Sequence, residues 1–361
     1  MAQPDERFRS DLVLLSYYIK FNRLQELTPY MGIDETTSVV DIYIDLYDML
    51  KRLYGSDLYA NKSLTIVSSI INLAAHMRAY YKTRHGMWTR IFLIYADELN
   101  DNQRQFWPNM GINDYTNTLN YNTIHHMVLS QLQLVKILAG YIPDVYFVPK
   151  HSCFSVVAFN LITKNYGDYY EPTSIILSKS RYNYQIVGML GKHKVFQFRP
   201  CKFNRDDMSV LVTPQNAILS YYYKLSPTGT NITKIKEISP ELMSILWSLN
   251  GCEPRNVSTA VNIKRSINMI HDAIVNYRIN NCYNSDPDFV YNNLVSVSNS
   301  IDIDTFRYRF QALDLVYQHR IYANSPESLD STWYINLQDP NTVKELNNKY
   351  FADNPLDLGN L

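Results

Sequence analysis

The sequence predicts an α/β fold: a mostly parallel central sheet flanked by helices, joined to an α-helical C-terminal part. Two patterns carry that expectation. Up to Pro214, short β-branched apolar runs alternate with segments of three-to-four periodicity, the order that strand-helix-strand crossovers impose. Beyond Pro214 the strand-like runs cease and amphipathic helical patterns follow one another. A chain of 361 residues that is 46% hydrophobic can bury the core such layers need.

Taken in order, Ser38 to Ile44 (SVVDIYI) is β-branched and apolar, as a buried strand should be, and DLYDMLKRLYG after it reads as a short helix closed by Gly55. From Ser63 to Arg84, residues Leu64, Val67, Ile71, Ala74, Met77 and Tyr81 recur on one helical face. Arg90 to Asp97 (RIFLIYAD) is a second buried strand, and the Asn-rich stretch after it has the polar look of a long excursion. Helix returns at TIHHMVLSQLQLVKILAGY, where Ile124, Val128, Leu132, Val135 and Leu138 share a face. DVYFV, SIIL and HKVFQF are further strands, with an apolar helix from Ser155 to Ile162 between the first two. In the second half, Ser239 to Gly251 and Asn262 to Ile279 are helices, and amphipathic pieces continue past Phe289. Neither a repeat nor a Gly/Ser linker interrupts the chain, so its parts should pack as one body. They divide into an N-terminal extension (1–37), an α/β core (38–213), a helical region (214–288) and a C-terminal helical extension (289–361).

Charge narrows the function classes. Lys plus Arg and Asp plus Glu number 34 each, so nothing global draws the chain to a polyanion or an anionic membrane. Cys153, Cys201, Cys252 and Cys282 lie far apart without a CxxC pair, which fits neither a zinc site nor a disulfide framework and points to a reducing compartment. No apolar run reaches the roughly 20 residues that span a bilayer. The expectation is a soluble protein of the cytoplasm. Thirty Tyr against eleven Gly is the usage of an AT-rich coding sequence, common in viruses and bacteriophages.

Several short stretches, in their order, resemble the phage-type 5′-3′ exonuclease and flap endonuclease family, whose core is PIN-like. In that family the first strand ends in a metal-binding Asp, for which Asp41 in VVDIY stands here, and another strand ends in a second, for which Asp97 in FLIYAD stands. Past it, RQFWPNMGIND keeps the family's Arg (Arg104) and Pro (Pro108) but lacks the basic pair of the helical arch. Where the family reads EADD, this chain reads HSCFSVVA, with Ser152, Phe154 and Ser155 in place of three carboxylates. Where it reads SgDkDllQLv, this chain reads SKSRYNYQIV: Ser178 and Gln185 are kept, and the acids are Ser180 and Tyr182. The helix-three-turn-helix module has a counterpart in SLNGCEPRNVSTAVNIKRSINMI, which keeps Gly251, Asn256 and Val257 but lacks the glycines that let backbone amides approach a phosphate.

The resemblance implies a nuclease-like fold, helix-three-turn-helix-like hairpin included, without nuclease chemistry. Two divalent ions about 4 Å apart need a dense set of carboxylates. Ser is a poor ligand for a hard ion, rings at Phe154 and Tyr182 fill ion volume, and Lys179 and Arg181 bring positive charge to where cations would sit. No catalytic residue, metal or cofactor is therefore expected. Asp41 and Asp97 fit either a weak residual ion site or the capping role that strand-end aspartates often have. His125 and His126, adjacent on a helix, point about 100° apart and have no acid spaced to orient them, so with His151 and Cys153 they make a poor metal or nucleophile set. Two functional readings follow. In the first, the protein binds other viral or host proteins in the infected cell, through Lys179, Arg181 and Tyr182 of the old cleft or through the terminal extensions. In the second, Arg104, Lys264 and Arg265 hold nucleic acid weakly and with steep salt dependence.

Overall fold

The structure, a computed structural model, describes residues 39–46, 49, 63–96, 135, 139, 142–150, 152–165, 172–178, 180–189, 194–198, 211–213, 242–250, 263–281, 284–294 and 301–329. The helices expected after Ile44 and over 123–141 fall largely outside these residues, as do the polar excursion after Asp97, the extension 1–37 and the segment STWYINL.

Among the described residues, six strands form one sheet in the order β3-β2-β1-β4-β5-β6. They are β1 Val39–Asp45, β2 Trp88–Ala96, β3 Val145–Lys150, β4 Thr173–Leu177, β5 Val195–Phe198 and β6 Leu211–Val212. All pairings are parallel except β5 with β6, an antiparallel edge that the sequence reading missed because a two-residue strand carries no periodicity. The helices are α1 Ser63–His85, α2 Phe154–Asn165, α3 Tyr184–Met189, α4 Met243–Asn250, α5 Ile263–Asn280, α6 Pro287–Asn293, α7 Ile303–Leu313, α8 Leu315–Ala323 and α9 Pro326–Leu329. The fold is thus α/β with a mostly parallel sheet and a helical C-terminal part.

Strand alternation sorts the core onto two faces. Val40, Ile42 and Ile44 of β1, with Ile91, Leu93 and Ile175, pack with Ile71, Ala74, Met77 and Tyr81 of α1. Those α1 residues form the stripe read from the sequence, and the helix stops where Gly86 adopts φ 68° and Met87 N–H reaches back to the Tyr81 carbonyl. Tyr43, Phe92, Ile94 and Val148 face the other way, into a cluster that continues through α2 and α4 to Phe306, Phe310, Leu313 and Leu315 of α7 and α8. The C-terminal amphipathic segment FRYRFQALDLVYQHRIY therefore covers the core, one of the two roles open to it from sequence. Asp302 and Asp314 cap α7 and α8, accepting from Thr305 N–H and Tyr317 N–H at 2.8 and 2.7 Å.

Candidate functional site

In an open α/β sheet the usual ligand crevice lies beyond the carboxyl ends of the strands, where the strand order reverses. Here that point falls between β1 and β4, since β2 and β3 extend one way from β1 and β4 to β6 the other. The residues meeting there are Asp45, last in β1, and Ser178, just past β4. Ser178 Oγ donates to Asp45 Oδ2 at 2.8 Å, and Asp45 is buried.

Asp45 corrects the sequence reading, which ended β1 at Ile44 and took Asp41 as its terminal acid. Asp41 is the third residue of the strand, four positions and roughly 13 Å short of its end. It lies in register with Arg90 of β2 and Ser174 of β4. Arg90 holds it in a fork, Nε to Oδ1 at 2.7 Å and Nη2 to Oδ2 at 2.6 Å, and Tyr43 Oη adds a longer contact at 3.3 Å. The guanidinium carbon sits 5.2 Å from the ring centre of Trp88 and 5.9 Å from that of Phe92. Asp41 is a buried ion-pair partner inside the sheet.

The loop after β4 is built from side-chain hydrogen bonds. Ser178 Oγ, which donates to Asp45, accepts from Ser180 N–H at 3.2 Å, and Ser180 Oγ accepts from Tyr182 N–H at 3.3 Å. These side-chain turns wind the chain into the 3-10 turn Arg181–Asn183 that leads into α3. Gln197 of β5 reaches over it, donating Nε2 to the carbonyls of Ser178 and Ser180 at 2.8 Å each. Ser155, in the first turn of α2, donates to Asn183 Oδ1 at 2.5 Å. Ser152, Phe154, Ser155, Tyr182 and Asn183 are all buried. The sequence reading missed Asn183 and Gln197, which stand in no motif it used.

Tyr182 must be corrected as a partner-binding candidate. Its ring is fully buried and stacks on Trp247 of α4, 5.8 Å between centres, so it has no surface to offer. Gln185 fastens the same element to the C-terminal helices: its Nε2 donates to the Leu313 carbonyl at 2.8 Å and its Oε1 accepts from Leu315 N–H at 3.2 Å. Ser244 of α4 donates to Asp314 Oδ2 at 2.8 Å in that α7–α8 junction. The extension thus roofs the loop that the sequence placed in an open cleft.

Other candidates are less defined. Asp97, Arg104, Lys179, His125, His126 and His151 lie outside the described residues. Arg181 lies in the 3-10 turn and Lys264 and Arg265 in the first turn of α5, with only their backbones described. Cys153 packs in the core as expected. Among the described residues no three His, Cys, Asp or Glu side chains converge as a metal site, and no helix is long and apolar enough to cross a membrane.

No protein-family profile matches the chain, and no curated protein does. Among solved structures, the T5 D15 protein co-crystallised with metal ions is similar to it at 12% identity and a TM-score of 0.48, over 78% of this chain and 92% of that one.

Proposed function

We propose that the chain is a non-catalytic relative of the phage-type 5′ nucleases, whose PIN-like fold serves a bacteriophage or similar virus as a protein-binding structural, adaptor or trafficking component in the host cytoplasm. The observation that carries the reading is the hydrogen-bond mesh at the switch point. Ser178, Ser180, Ser155, Asn183 and Gln197 are engaged with one another or with loop backbone, and α7 and α8 roof the element they hold. Such a mesh serves rigidity; two-metal chemistry needs anionic oxygens open to a substrate.

With Tyr182 buried, the proposed binding surface is drawn from apolar side chains that stay exposed, among them Ile279 at the end of α5, 73% exposed, and Ile321 of α8, 60% exposed. The decisive assay incubates purified full-length protein with flap, nicked and single-stranded substrates in Mg²⁺ or Mn²⁺. No cleavage is expected, and turnover abolished by Asp45→Asn would sink the non-catalytic reading. For the binding role, Ile279→Asp plus Ile321→Asp should leave folding intact and lose a partner co-purified from infected cells. A partner retained through that variant and through removal of residues 1 to 37 defeats the adaptor role.

A second reading, weak binding of branched or single-stranded nucleic acid, draws on Lys264 and Arg265 in the first turn of α5, a helix packed against α4. Gel shifts at low and physiological salt separate the two. Tight binding at physiological salt, lost on Lys264→Glu plus Arg265→Glu, would favour it.

A further inference from the structure

We propose that α8 and α9 form a latch on α2 that swings about Asp314 and is released when His319 takes up a proton. The latch rests on one face of α2, where Phe159, Asn160 and Lys164 follow at a spacing that brings side chains together on a helix. Phe159 meets the His319 ring edge-on, 4.8 Å between centres, and Asn160 Oδ1 lies 3.3 Å from its Nε2. One turn on, Lys164 Nζ donates to the Ser328 carbonyl of α9 at 2.9 Å and reaches Ser328 Oγ at 3.4 Å. Asn160 and Ser328 are buried, so the latch closes over polar groups that water does not reach.

The hinge is pinned in place. Asp314 both ends α7 and caps α8 with an extended backbone (φ −81°, ψ 114°), Ser244 holds its carboxylate, and Gln185 holds the backbone on either side of it. α8 can therefore lift while α7 stays in the core. The charges around the imidazole decide when it lifts. Lys164 is the charged residue of α2. On α7, Arg307 is tied to Asp288 and Asp304, and Arg309 turns to the Ser248 carbonyl of α4. On α8, Arg320 is exposed and adds positive charge, and Asp314 is engaged at the hinge; Glu327 of α9 is described in its backbone alone. Among the described side chains, an ammonium thus stands near the imidazole with no carboxylate on α2 to offset it, and Lys164 cannot turn aside without giving up Ser328. Burial first and the charge of Lys164 second hold the His319 pKa below the usual 6.5. The closed form binds a proton less readily than the open one, so the latch is firmest above about pH 6.5 and loosens as pH falls through that value toward the closed-form pKa. Opening uncovers Phe159, a large apolar side chain buried in the closed form.

The test is amide hydrogen exchange, read by mass spectrometry on the full-length chain at pH 7.5 and pH 5.5 and corrected for the intrinsic pH dependence of exchange. Residues 315–329 are expected to lose protection by roughly three- to tenfold at the lower pH, the upper figure being what one proton taken up at an ordinary imidazole yields one unit below its pKa. Residues 303–313 and the strands should keep theirs, because opening is local. His319→Gln must abolish the pH response of 315–329 while leaving the rest of the pattern as in the wild type. Should that variant fail to fold, His319→Asn and His319→Phe take its place, since each also removes the titrating group. A loss of protection spread evenly over the fold, no loss at pH 5.5, or a response that persists without the imidazole overturns the proposal.

Discussion

Replacing Asp41 with Asn keeps the shape of the side chain and removes the charge that Arg90 grips through two short bonds. Both residues are buried, Asp41 completely and Arg90 at 5% exposure, so water cannot take over the lost contact. Removing one partner of such a pair costs about 3–5 kcal/mol, because it strands the other charge in the interior. Trp88 and Phe92 flank the guanidinium and soften that loss only in part, at about 0.5–2 kcal/mol for a cation over a ring. For a chain of this size the net effect, about 1–4.5 kcal/mol, corresponds to a fall of roughly 2–9 °C in melting temperature, at about 2 °C per kcal/mol. The assay is urea unfolding followed by circular dichroism, with Asp41→Asn and a paired apolar replacement, Asp41→Leu plus Arg90→Met. The single variant should lose stability and the double should recover much of it. Had Asp41 been an ion ligand, as its place in VVDIY implied, its removal from the metal-free protein would relieve charge and cost little. A loss below about 1 kcal/mol in Asp41→Asn, or no recovery in the double, would refute the ion-pair assignment.

Three further outcomes are expected. Tyr182→Ala should destabilise by about 3–5 kcal/mol through the cavity it opens beneath Trp247; a variant with wild-type unfolding and a lost partner would put the ring at a surface instead. Gln185→Ala strips two contacts from buried backbone at Leu313 and Leu315, at about 1–3 kcal/mol, and should speed amide exchange in 303–323 before the strands; uniform exchange across the fold would contradict a local clasp. His319 of α8 packs edge-on against Phe159 of α2, 4.8 Å between ring centres, and its pKa is held below the usual 6.5, first by burial and then by the charge of Lys164. The folded protein binds fewer protons there than the unfolded chain, so stability is complete above about pH 6.5 and declines as pH falls through that value toward the folded pKa. His319→Gln should flatten the decline between pH 7 and 5, and an unchanged slope would assign it to other groups.

Regular elements were legible in the sequence because hydrophobic periodicity is a local signal. The α1 stripe, the buried runs of β1 and β2 and the helix at 263–280 came through with ends shifted by one or two residues. The residue types at 152–155 and 180–182 were equally plain, since a residue's type needs no coordinates. How those residues are held together was not legible. The run VVDIYID offers two aspartates four residues apart on one face, and only pairing with β2 and β4 shows which one reaches the sheet's edge and which meets Arg90. Tyr182 looked available for binding because nothing local announces that a helix more than sixty residues away brings Trp247 against it, or that Gln185 holds backbone 128 and 130 residues further on. The sequence by itself determined the layers and the residue types of the loop after β4, because those follow from side-chain chemistry at short range. Whether the switch-point loop stands open or lies under a helical roof was decided by contacts between residues distant in the chain, and only the tertiary structure contains them.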